Sequence, residues 1–114
     1  MPLTTGPIEN VGNQPGNASN VRVKILNRTG GTLTGVARVY RLNGTREILS
    51  SANFTANCNA STFVTLNLVG GAFQYEVEIV PKQTGGLYSV YGRTASGLII
   101  PAQRILNSEL VQIL

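Results

Sequence analysis

The chain has 114 residues, 42% hydrophobic and only 12% charged, with nine Lys and Arg against five Glu and no Asp, His or Trp. That length leaves room for one domain with one core, and normal apolar content with little charge is unlike a disordered chain. Without Asp or His, the composition excludes a Ser–His–Asp triad, a Cys–His nucleophile and an Asp-built calcium loop.

Residues 1–19 carry Pro2, Pro7 and Pro15 interleaved with Gly6, Gly12 and Gly16. This punctuation forbids a helix. Leu3, Ile8 and Val11 are the only sizeable apolar side chains after Met1. The segment reads as an N-terminal connector arm, too polar to fold alone, serving a domain that spans residues 20–114. Extended, it reaches roughly 60 Å. A peptide of this kind docks along a sheet edge, with Leu3, Ile8 and Val11 as its docking residues.

From residue 20 the pattern alternates. Val21, Val23 and Ile25 share one face of a half-buried strand, with Arg22, Lys24 and Leu26 on the other. A turn at Thr29-Gly30-Gly31-Thr32 leads to a strand over residues 35–42, whose inward face is ambiguous: Val36, Arg38, Tyr40 and Leu42 compete with Ala37 and Val39. Asn43-Gly44 is the strongest hairpin signal, predicting a type I′ turn into a strand over residues 46–56 that carries Ile48, Leu49, Ala52 and Phe54. After a turn at residues 57–61, a strand over residues 62–69 points Val64, Leu66 and Leu68 inward. Residues 72–80 form the best-patterned strand, with Phe73, Tyr75, Val77 and Ile79 inward and Gln74, Glu76 and Glu78 outward. A strand through residues 87–91 follows, then Leu98-Ile99-Ile100, broken by Pro101. The last residues, 102–114, read as extended, with Ile105, Leu110, Val111 and Ile113 available to the core. No segment sustains helical periodicity. Seven to eight strands predict an all-β antiparallel sandwich, jelly-roll or immunoglobulin-like, with an extended N-terminal arm.

Little chemistry remains. Glu76 and Glu78 point the same way from one strand at a spacing a glycosidase could use, but a solvated face opposite Arg22 and Lys24 is the better reading. Cys58 is the lone cysteine, so no intrachain disulfide and no four-ligand zinc site forms. Tyr88 and Tyr91 lie on opposite faces of one strand and make no joint platform for a sugar. Five Asn-X-Ser/Thr triplets, headed by Asn17, Asn27, Asn43, Asn53 and Asn59, read as chance in a chain crowded with turns. The nine bases are dispersed, so neither nucleic acid nor membrane is expected as a partner. No cofactor and no metal are expected. There is no basic-then-apolar leader and no apolar run long enough to span a bilayer. The chain reads as an assembly protein and not as an enzyme.

Phe73-Gln74-Tyr75-Glu76-Val77-Glu78-Ile79, Val90-Tyr91-Gly92-Arg93 and the tail from Arg104 to Val111 resemble the endospore appendage (pilus-like fibre) subunits of spore-forming bacteria, a likeness in overall pattern over most of residues 20–113. The resemblance implies a jelly-roll subunit whose connector inserts into the next copy, building a head-to-tail homopolymer on the spore surface, with an anchor and a tip protein as further partners and release by mother-cell lysis. One branch of that family cross-links its subunits through connector cysteines. Residues 1–19 have none, so the expectation is non-covalent strand complementation. The alternative is a carbohydrate- or receptor-binding module on a phage or spore particle, tethered through the arm.

Overall fold

The computed structural model describes residues 2–113. Six long strands form the body: β3 (Asn20–Asn27), β4 (Leu33–Leu42), β5 (Arg46–Ala56), β6 (Ser61–Asn67), β7 (Gln74–Pro81) and β8 (Gly86–Arg93). Three two-residue strands complete it, β1 (Leu3–Thr4) and β2 (Ile8–Glu9) from the arm and β9 (Val111–Gln112) from the tail. The larger sheet runs β5-β4-β7-β1-β9, with β2 also on β7, and the smaller runs β6-β3-β8. Every pairing is antiparallel. The fold is an all-β sandwich, and no α-helix occurs among the described residues.

Alternation builds the core as the pattern demands. Val21, Val23 and Ile25 of β3 meet Val90 and Tyr88 of β8 and Leu66 of β6 on one side, and Val77, Ile79 and Phe54 of the larger sheet on the other. β4 turns Leu33, Ala37 and Val39 inward, which resolves its ambiguous face. At Gly35 no side chain fits, because the Phe54 ring of the paired strand covers it: a Cβ there would come within 2.6 Å of that ring and of the Val80 carbonyl. A bulge between Val39 and Tyr40 shifts the register to β5, so that Ile48 pairs outward with Tyr40 and is 53% exposed.

Several expectations need correction. Leu42 pairs with Arg46, so the Asn43-Gly44 hairpin closes through three residues and not two, with positive φ at Gly44. Phe73 does not join the inward row of β7: it lies ahead of the strand and is 78% exposed. Residues 98–100 make one isolated bridge, Ile99 to Arg93, in place of a strand, although Ile100 is fully buried. The tail is not extended throughout. It contains two 3-10 turns, Pro101–Gln103 and Asn107–Glu109, and its Val111 is exposed on the outer edge. Glu76 and Glu78 face Arg38 and Arg46 of the larger sheet, whereas Arg22 and Lys24 belong to the smaller one.

Candidate functional site: the seat of the arm

The arm lies on its own body. From Leu3 to Asn10 it runs antiparallel along the side of β7 that β4 leaves free, with Leu3 opposite Ile79 and Ile8 opposite Tyr75. Between these two short pairings the Thr5 amide donates to the Val77 carbonyl at 3.0 Å, and the Val77 amide donates back to Thr5 Oγ1 at 3.1 Å. Gly6, at a φ of +70°, takes the kink that Thr5 and Pro7 on either side could not. The Asn10 amide then donates to the Phe73 carbonyl at 2.7 Å. On the far side of β1, β9 adds Gln112 opposite Leu3, and the Ile113 amide donates to the Pro2 carbonyl at 2.8 Å.

The three anticipated docking residues fare differently. Ile8 is buried in the core and Leu3 packs against its margin, but Val11 is half exposed and outside the seat. The residue that reading apolar side chains passed over is Asn10, 2% exposed. Its Nδ2 donates to the Ala18 carbonyl at 3.2 Å and to the Ala72 carbonyl at 2.9 Å. Its Oδ1 accepts from the Ala18 amide at 2.7 Å and from Gln103 Nε2 at 2.8 Å. Gln103, fully buried, also donates to the Glu9 carbonyl at 3.2 Å, and its Oε1 accepts from the Tyr75 hydroxyl at 2.5 Å. Every polar atom of this latch is satisfied, and that is the condition under which buried polar groups hold a structure instead of weakening it. Gly92 makes room for it: a Cβ there would collide with Gln103 Oε1 and come within 2.9 Å of the Tyr75 hydroxyl.

Residues 11–17 form the loop between the two ends that Asn10 clamps. Five of the seven are exposed, Val11 among them. They join the seated part of the arm, on the larger sheet, to β3 in the smaller one. A cleft of about 770 Å³ opens beside this loop, with Phe73, Arg41 and the Gly70-Gly71 turn among its walls. Arg41 is fully used there, donating to the carbonyls of Val69 at 2.7 Å and Gly71 at 3.0 Å and pairing with Glu47 at 2.6 Å.

On the outer face of the larger sheet, Glu76 and Glu78 are held by cations. Arg46 reaches Glu76 at 2.7 Å and Glu78 at 3.4 Å, Arg38 reaches Glu78 at 3.2 Å, and Thr4 of the arm donates to Glu76. The Arg46 guanidinium lies 3.5 Å from the centroid of the Tyr40 ring, and the Tyr40 hydroxyl donates to Glu78 at 3.1 Å. Burial, then the bond to Glu78, raises the Tyr40 pKa. Chemically this lattice ties the arm and β4 to β7. Neither carboxylate lines the large cleft or the smaller one of about 230 Å³ near Gly85. Among the described residues no three His, Cys, Asp or Glu converge on a metal position, and no helix is long and apolar enough to cross a membrane, which says nothing of strands. Cys58 is exposed at the tip of the turn between β5 and β6.

No family model, curated protein or solved structure matches the chain. The arm seat therefore stands on its own geometry.

Burial of the Tyr75 ring pushes its pKa well above the usual value. The folded state keeps this proton where the unfolded chain has lost it. The associated stability is complete below the unfolded pKa of about 10 and falls as pH rises beyond it, by up to about 1.4 kcal/mol per pH unit. Urea melts at pH 9 and pH 11 should show this loss, with Tyr75→Phe flattening it. An equally steep loss in Tyr75→Phe would place the cause elsewhere.

Proposed function

We propose that the chain is a structural subunit, and not an enzyme, that assembles with copies of itself by exchanging its arm. The observation that carries this reading is that the body is incomplete without the arm. β7 gains its second neighbour only from residues 3–10, and the buried Gln103 Nε2 donates only to the arm, to Asn10 Oδ1 and the Glu9 carbonyl. Yet the arm is joined to β3 through seven residues, 11–17, that are mostly exposed and carry two Gly and a Pro. A second copy's arm offers the same main-chain edge, the same Ile8 and the same Asn10. Exchange therefore trades identical contacts and costs little beyond opening the loop, the usual route to domain swapping. Contacts passed head to tail do not close on themselves unless the rotation allows it, so the product is a fibre. With no cysteine in the arm, the joints are non-covalent. The resemblance to endospore appendage subunits gives this fibre a setting, the outer surface of a spore, with an anchor and a tip protein at its ends.

The register supplies the test. Leu3 and Gln112 are directly opposed across the seat, so Leu3→Cys with Gln112→Cys, on a Cys58→Ser background, reports which chain's arm fills it. Exchanged assemblies oxidise to a ladder of covalent oligomers on a non-reducing gel, and negative-stain electron microscopy of the unmutated chain shows filaments. A single band of internally bridged monomer, at every concentration and after partial unfolding, would sink the reading. The body would then be a closed module, and a ligand-binding role the better account.

A further inference from the structure

The two outer faces of the sandwich differ in charge. All four ion-pair contacts of the described residues lie on the larger sheet. β3, β6 and β8 contain no acid at all. Strand alternation instead brings together residues far apart in the sequence. Arg22 sits opposite Tyr91, Lys24 opposite Phe63, and Arg93 two residues beyond Tyr91 on the same face. The Arg22 guanidinium lies 4.2 Å from the centroid of the Phe63 ring and the Lys24 ammonium 5.0 Å from it, while the ring remains 47% exposed. None of these three cations has an ion-pair partner among the described residues.

We propose that this face binds single-stranded nucleic acid, with phosphates on Arg22, Lys24 and Arg93 and bases stacked on Phe63 and Tyr91. Three uncompensated cations on an acid-free sheet form a positive surface whose complement is a polyanion. The aromatic rings narrow the class. They stand beside the cations as bases stand beside phosphates along a strand, and only an unpaired strand has base faces free to stack. The platform is about 10 Å across its three strands and about 26 Å along β3, room for a few nucleotides. Nothing on it is arranged to read base edges, so recognition is indifferent to sequence. The dispersal of the bases along the chain, which argues against such a partner, is undone by the register of three strands.

The test is fluorescence anisotropy of the full chain with a labelled oligothymidine of about ten nucleotides. Binding is expected at low salt, weakening with salt at a log–log slope of about 2 for three phosphate contacts. Phe63→Val, which keeps strand propensity, should weaken it about tenfold, and Arg22→Gln should lower the slope. Tyr91→Thr carries the same expectation as Phe63→Val should that variant fail to fold, with Tm confirming the fold of each. Absence of binding at low salt overturns the proposal. So does equal affinity for an abasic phosphodiester or for heparin with no effect of Phe63→Val or Tyr91→Thr, since charge alone would then account for the attraction.

Discussion

Deleting residues 1–19 should unfold the protein or drive it into aggregates, and adding a synthetic peptide of residues 2–19 should restore it. The deletion strips the ladder from one side of β7, removes the burial of Ile8 and Leu3, and takes the arm partners from Gln103 Nε2 and from the carbonyls of Ala72 and Phe73. Burial of the two side chains contributes about 3–5 kcal/mol, and each orphaned polar group costs about 1–3 kcal/mol. Together these are of the same order as the whole stability of a domain this size, about 5–15 kcal/mol. A bare β7 edge is also a template for any other strand. Rescue by peptide follows from mass action on the folded state and should grow with the logarithm of peptide concentration. Circular dichroism with thermal melting reads both halves of the experiment. A truncated chain that melts as the full one does would show that the seat needs no occupant, and arm exchange would lose its driving force.

Asn10→Ala should cost about 3 kcal/mol or more, far beyond the loss of one small polar side chain. Four hydrogen bonds end on that amide, two as donor and two as acceptor. Alanine leaves the Ala18 amide and the carbonyls of Ala18 and Ala72 without that partner, and takes from Gln103 Nε2 the shorter of its two bonds to the arm. The corresponding fall in Tm is about 10 °C or more. Gly92→Ala reaches the same latch from the other side, by forcing Gln103 out of its place. Asn10→Ala and Gly92→Ala should therefore be strongly non-additive, coupled by about 0.5–3 kcal/mol in a double-mutant cycle on urea midpoints. Strict additivity would mean that the two residues act on the fold separately and that no latch exists.

Much of the sandwich was legible because its signals are local. The alternation in β3 and β7 placed Val21, Val23, Ile25, Tyr75, Val77 and Ile79 correctly, and these are among the most deeply buried residues. β4 is ambiguous in sequence for a visible reason: two of its inward positions are Gly35, where the Phe54 ring leaves no room for a side chain, and Ala37, so hydrophobicity alone does not tell that row from the outward row of Val36, Arg38 and Tyr40. Phe73 shares the parity of Tyr75, but parity carries meaning only inside a ladder, and the ladder of β7 begins at Gln74. The tail reads as extended in sequence because 3-10 turns leave no periodic trace in three residues. The site was the least legible part. Ile8 could be picked out as an apolar residue in a polar arm, but Asn10 and Gln103 are 93 residues apart in sequence. Each looks like an ordinary polar residue until the other is beside it. The same holds for Arg22, Phe63 and Tyr91, which only strand register makes neighbours.

The span of the latch also bears on how the chain is made. Asn10 leaves the ribosome early, yet its partner Gln103 and the strand Val111–Gln112 that covers β1 are translated at least 90 residues later, several seconds at ordinary rates of synthesis. During that interval a growing chain presents an arm with nowhere of its own to sit. Any finished copy whose seat has opened can take it first. If copies exchange arms as proposed, coupling between translation and joining would set how many of them link, with crowded messages favouring long assemblies and sparse ones closed monomers.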